Sequence, residues 1–182
     1  MANRLVLLLL LVGALGTFGA CGKQIGDACN FAQDCSPNGN RICDPDPSSP
    51  SGYCTIFGCD YSTCPGEAAC VQFFTGDFSN RTCDPAADRD ECQTGVDDQG
   101  APLGYPGSLD ELCAVSGHCV SRSSEIRYCM LKCSSDGDCR SGYECRTLEL
   151  MQQHGGQPVL APGLKVTDKS PRFCAAKPTT ST

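Results

Sequence analysis

The chain has 182 residues, 17 of them cysteine, no tryptophan, and 21 Asp plus Glu against 14 Lys plus Arg. This much cysteine with so few aromatics points to a disulfide scaffold in an oxidising compartment, because units with little apolar surface need covalent staples. An acidic chain without a basic stripe has nothing to neutralise phosphates, which excludes nucleic-acid binding from the expected functions.

The first segment, MANRLVLLLLLVGALGTFGA (1–20), has the parts of an export signal: Arg4 near the start, an apolar run from Leu5, and small residues at its end. The run is short for a membrane span, and no basic flank follows it. A cut after Ala20 by ordinary signal peptidase would put bulky Phe18 at the −3 position, where a small residue is required. Phe18-Gly19-Ala20-Cys21 instead resembles the lipobox of bacterial lipoproteins, with Phe18 and Gly19 less usual than the commonest choices at their positions. That resemblance implies that Cys21 becomes the first mature residue and carries a diacylglyceryl group on sulfur and an acyl chain, such as palmitate, on its amine. More than one chain gives stable anchoring, at about 0.8 kcal/mol per buried methylene. It also implies a lipid-anchored protein in the cell envelope, and Gly22 after the cysteine favours the outer membrane. The rival readings leave Cys21 as a free thiol, an intermolecular bridge or part of an ordinarily secreted chain.

With Cys21 lipidated, sixteen cysteines remain: Cys29, Cys35, Cys43, Cys54, Cys59, Cys64, Cys70, Cys83, Cys92, Cys113, Cys119, Cys129, Cys133, Cys139, Cys145 and Cys174. All are expected in disulfides. After an anchor linker (21–28), the cysteine-rich region 29–174 divides by spacing into quartets 29–54, 59–83, 92–129 and 133–174. The first, second and fourth open with two short gaps and then make a longer excursion. Spacing alone leaves three pairings open within each quartet.

The excursions read as hairpins: 71–74 with 78–82 across TGD, and a second within 120–128. TLELM (147–151) alternates weakly, and the loop QQHGGQPVLAPGLK follows it. Tyr53, Tyr128 and Phe173 stand just before cysteines, and their rings are expected to cover nearby disulfides. Residues 84–111 are acidic and rich in turn formers, so they read as a long surface loop or a boundary. Asp84, Asp88, Asp90, Glu91, Asp97 and Asp98 could ligate calcium, but the order of an EF-hand is missing and a solvated loop is preferred. Residues 175–182 read as a disordered tail.

Cys133-Ser-Ser-Asp136-Gly-Asp138-Cys139-Arg-Ser-Gly142-Tyr-Glu-Cys145 fits C-x2-D-x-D-C-x2-G-x2-C. It resembles the opening of Dickkopf- and colipase-type cysteine-rich modules, and similar motifs recur in bacterial cysteine-rich lipoproteins. Asp and Gly suit tight turns between close cysteines, since Asp bonds its own backbone and Gly permits positive φ. In the first quartet only Asp34 and a displaced Gly39 match. The resemblance concerns the scaffold and carries no receptor or lipase function with it.

Catalytic and metal signatures are sparse. There is no C-x-x-C, nucleophile elbow, phosphate loop or H-E-x-x-H. Of the two histidines, His118 adjoins Cys119, which is expected to be bridged, and His154 falls in a stretch read as exposed loop. No catalytic residue, metal or cofactor is therefore expected. The overall expectation is a small disulfide-rich fold of short β-hairpins and loops with little helix outside the signal peptide. The expected function is that of a non-enzymatic, lipid-anchored envelope lipoprotein with a structural, adhesive or binding role. Its one defined partner is the membrane, through the lipid anchor. The alternative is a protease-inhibitor-like binding module acting through loops 44–52 or 155–172, because stapled loops are pre-organised.

Overall fold

The computed structural model describes residues 22–45, 51–75, 81–86, 92 and 110–178. Residues 1–21, most of the acidic 84–111 segment and residues 179–182 lie outside them. What is described is a small disulfide-rich fold of short strands: β1 (Ala28–Cys29), β2 (Ile42–Asp44), β3 (Gly52–Thr55), β4 (Ala68–Phe74), β5 (Glu111–Cys113), β6 (Cys119–Ser121), β7 (Glu125–Leu131), β8 (Tyr143–Arg146), β9 (Gln157–Pro158) and β10 (Phe173–Ala176). Two short helices accompany them, α1 (Ala32–Cys35) and α2 (Leu148–His154).

All sixteen cysteines after Cys21 are bridged: 29–43, 35–54, 59–70, 64–129, 83–113, 92–119, 133–145 and 139–174. Two bridges, Cys64–Cys129 and Cys83–Cys113, cross the boundary between the second and third quartets expected from spacing. The units that close on themselves are I (Cys29, 35, 43, 54), II (59, 64, 70, 129), III (83, 92, 113, 119) and IV (133, 139, 145, 174). In each, the first cysteine bonds the third and the second bonds the fourth. Unit III lies wholly within the excursion of unit II, which is why spacing along a linear chain misassigned Cys83 and Cys129.

One geometric rule generates all four units. The third and fourth cysteines face each other directly across an antiparallel strand pair: Cys43↔Cys54, Cys70↔Cys129, Cys113↔Cys119 and Cys145↔Cys174. Opposed residues point to the same face of the sheet. Each therefore reaches one cysteine of the incoming loop on that face, and two bridges staple loop to hairpin side by side. Cys29, Cys35 and Cys43 hold their sulfurs within 4.8 Å of one another, and each other unit contains such a trio.

The incoming loops of units I and IV share a turn. Asp34 Oδ2 accepts from the Asn30 and Phe31 amides at 2.8 and 3.1 Å, and Asp138 Oδ2 accepts from Ser134 and Ser135 at 2.7 and 2.9 Å. Both aspartates sit immediately before the second cysteine. In unit II the Thr63 hydroxyl takes this place, accepting from the Asp60 amide at 2.8 Å. Asp136, the first aspartate of the motif, accepts from the Cys145 amide at 2.8 Å, and Gly142 takes φ +85°.

The strand pairing differs from the expected hairpins. Residues 71–74 belong to β4, which pairs along its length with β7, from Ala68↔Leu131 to Phe74↔Glu125, and with β9 on its other edge. The segment 120–128 is divided between β6, which pairs with β5, and β7. TLELM is the start of α2, capped by the Thr147 hydroxyl, which accepts from Leu150 N. The supposed tail begins as β10, whose Ala175 is buried, and Lys177 N donates to Gly142 O.

The central core gathers Ile25, Val71, Met130, Met151 and Phe173 with the rings of Tyr53 and Tyr143 and with Cys59, Cys70 and Cys129. Two satellites are built of cysteine alone, around units I and III. Tyr53 stacks on Tyr143 at 5.3 Å, and the Arg140 guanidinium lies 4.2 Å from the centroid of Tyr143 and 5.4 Å from that of Tyr53. This stack joins units I and IV, while Thr55 Oγ1 joins units I and II by donating to Cys129 O at 2.8 Å. The linker 22–28 is docked rather than free, since Ile25 is buried and Gly26 N donates to Cys54 O.

Candidate functional site

Period-two alternation on β8 sends Tyr143 and Cys145 to one face and Glu144 and Arg146 to the other. Both charged residues are buried, at 7 and 6% exposure. Buried charges persist only where they are paired and hydrogen-bonded, and the next element supplies the partners. Helix α2 starts immediately after β8 and ends at His154, with Gly155 at φ +78° just beyond it. Arg146 Nη1 donates to the carbonyls of His154 and Gly155, tying down the helix end, and Nη2 donates to Ala176 O at 2.9 Å. The Glu144 carboxylate lies 3.3 Å from Arg146 Nε and accepts from His154 Nδ1 at 2.6 Å. Burial pulls the Arg146 pKa down, and Glu144 opposes that shift.

His154 is therefore not in an exposed loop. It stands at the rim of a cleft of about 570 Å³ whose lining includes Phe73, Phe74, Val115, His118 and Gly156. Gly156 is needed there: at φ +76°, an added Cβ would lie 2.7 Å from Phe73 Cε1. The cleft is also lined by the tight turn between β5 and β6. Gly117 takes φ +78° in it, and Ala114 N donates to His118 O at 2.9 Å. His118 Nδ1 lies 3.2 Å from Ser116 O. Gln157 locks this turn to β9, its buried Oε1 accepting from Val115 N at 2.6 Å. The structure thus brings the two histidines, far apart in sequence, to one cleft.

A second, smaller cavity of about 260 Å³ is lined by Tyr53, Phe73, Ile126, Tyr128, Met130 and Tyr143 among others. Tyr53 and Phe173, expected only to cover nearby disulfides, belong to the central core, and Tyr128 is partly buried with Phe57 edge-on to it at 5.5 Å.

The remaining sequence-derived candidates are placed as follows. Cys119 is bridged to Cys92, so His118 has no neighbouring thiolate. The sulfur clusters are disulfides and offer no thiolate ligands. Asp84 accepts from the Ala86 amide at 2.8 Å in a local turn, while Asp88, Asp90, Glu91, Asp97 and Asp98 lie outside the described residues. Loop 44–52 is described only at its ends. Loop 155–172 is docked at its base through β9 and by Val159 N donating to Cys70 O, and it exposes Leu164.

The Glu144–Arg146–His154 network was missed from sequence, although two signals pointed to it. Charged residues flank Cys145 in a strand, and His-Gly-Gly is a helix-stop pattern. No helix of the described residues is long and apolar enough to cross a membrane. No protein-family model matches the chain, and no curated protein or solved structure is significantly similar to it. The class defined by fold and bridges is a small disulfide-rich protein of four stapled units.

Proposed function

We propose that the chain is a lipid-anchored, cysteine-rich lipoprotein of a bacterial envelope, sited at the outer membrane. Its role is non-enzymatic: structural, adhesive or binding. The observation that carries this reading is the closed set of bridges. The eight disulfides use every cysteine after Cys21 and leave none to pair with it. Cys21 is also the cysteine that ends the lipobox-like Phe18-Gly19-Ala20-Cys21. An odd cysteine at that position has a chemical use as the acylated residue. The docked linker supports the reading, because with Ile25 buried the lipid would hold unit I close to the bilayer. The test is metabolic labelling of the full-length protein with palmitate in a Gram-negative host. Label should appear in the membrane fraction and vanish in Cys21→Ser. Absence of label, or label that survives the substitution, overturns the anchor.

A second reading, a protease-inhibitor-like module, is favoured by one observation. Leu164 is 56% exposed in a loop stapled at its end by Cys139–Cys174 and at its base by β9. If micromolar protein slows no member of a panel of secreted proteases, this reading fails.

A further inference from the structure

Phe31 is the most exposed large apolar side chain among the described residues, at 69%, and it belongs to no core cluster. A single exposed apolar residue is ordinary on a protein surface. What sets Phe31 apart is its place beside the point where the chain leaves toward Cys21. Gly22 lies against α1: a Cβ added to it would stand 3.0 Å from Cys35 O and 3.8 Å from Ser36 Cα. Helix α1 is a single turn, so Phe31 at its N-cap is only about 6 Å from Cys35 along the helix axis. Lys23 ties the linker to the strand that leads into this turn, its Nζ donating to Ala28 O at 2.6 Å. The amides of Asn30 and Phe31 hold the Asp34 carboxyl below its ordinary pKa, and the Lys23 ammonium adds to that shift, so the Lys23 charge lies near the turn that carries Phe31.

Covalent geometry holds the Cα of Cys21 about 3.8 Å from that of Gly22. If Cys21 is acylated its chains lie in the bilayer, and with Gly22 docked on Cys35 no free linker remains to lift unit I off the surface. Apolar side chains of interfacial elements sink about 5–10 Å into the headgroup boundary, and the length of the α1 turn falls within that range. We propose that unit I rests on the phospholipid surface to which Cys21 is anchored, with the Phe31 ring inserted at the headgroup boundary and Lys23 beside it. An apolar ring next to an ammonium suits the layered chemistry of that boundary, where hydrocarbon meets phosphate. The contact rests on the lipid-anchor reading and adds to it which face of the molecule meets the membrane.

The chain has no tryptophan, so Phe31→Trp gives it a single indole reporter at an exposed position. Unchanged circular dichroism would show that the fold is kept. The membrane-extracted full-length variant is reconstituted in phosphatidylcholine vesicles, with and without bromine on the acyl chains, and floated on a density gradient. Flotation and intact mass report the anchor, and quenching by brominated lipid reports the contact. The expected result is a floated, acylated protein whose indole emission is blue-shifted, lost in brominated vesicles and protected from aqueous iodide. Phe57→Trp, at a position 58% exposed just before unit II, should show the reverse. Flotation without quenching in Phe31→Trp, or equal quenching at both positions, overturns the contact and leaves the anchor standing. A blue shift without quenching would assign Phe31 to a second copy of the chain, and overturns it equally. Protein that carries no acyl group and does not float removes the anchor, and the contact with it.

Discussion

At the scale of residues, the aspartate before the second cysteine organises units I and IV. Two backbone amides hold the Asp34 carboxyl below its ordinary pKa, and Asp138 is lowered in the same way. A carboxyl whose folded pKa is depressed contributes stability that is present above the unfolded value, about 3.9. That contribution is lost as pH falls through the folded pKa. Thermal melts of the Asp34→Asn, Asp138→Asn double variant should therefore show a flatter pH dependence below pH ~4 than wild type. Equal slopes would mean the turns are not held by charge. Tyr53 is a different case. Burial pushes its phenol up to about 12, against the opposing Leu131 amide and Arg140. Its oxygen accepts from Leu131 N at 2.9 Å, so Tyr53→Phe leaves that amide unpaired. The expected cost in denaturant melts is about 1–3 kcal/mol. The role of Asp138 was legible from sequence, because a short polar residue between close cysteines signals such a turn. The roles of Tyr53 and Glu144 were not, because their partners are remote in the chain.

At the scale of elements, the unit is a loop stapled to a hairpin by two bridges, and bridge mapping tests it directly. Non-reducing digestion should yield a peptide pair joining Cys64 to Cys129 and another joining Cys83 to Cys113. A Cys64–Cys83 pair would contradict the nesting of unit III within unit II. In the chain-entropy model, the bridge of sequence separation 65 contributes about 4 kcal/mol and the one of separation 11 about 3. The long bridge is thus only modestly stronger than the short one. Cys64→Ser with Cys129→Ser should cost 2–5 kcal/mol, the usual loss for a small secreted domain. The first and last units could be read from cysteine spacing because their excursions contain no other unit. The β4–β7 pairing could not, since its strands are separated by an inserted module and local turn signals favoured a nearer partner. Helix α2 was legible in principle: Thr147 caps it and Gly155 stops it, and those signals outweigh an alternation five residues long.

At the scale of the molecule, composition alone foretold the class, because so few aromatic and aliphatic residues cannot hold 22–178 together without staples. The central core is nonetheless real, with Val71, Met151 and Phe173 almost fully buried, while two of the satellites are sulfur alone and a third gathers Leu112, Ala114 and Val120. Full reduction should therefore collapse the far-ultraviolet circular dichroism, and an unchanged spectrum would refute the dependence on bridges. The cleft was invisible to sequence because β4, the β5–β6 turn and the end of α2 meet only in the fold.

The central claim is that the closed set of bridges sets Cys21 apart for the lipid. The most direct measurement is the non-reducing intact mass of the membrane-extracted protein after alkylation of free thiols. The account predicts a chain beginning at Cys21, heavier by diacylglyceryl and acyl groups, with no alkylated thiol. An unacylated chain carrying one alkylated thiol would contradict it and leave Cys21 as an ordinary free cysteine.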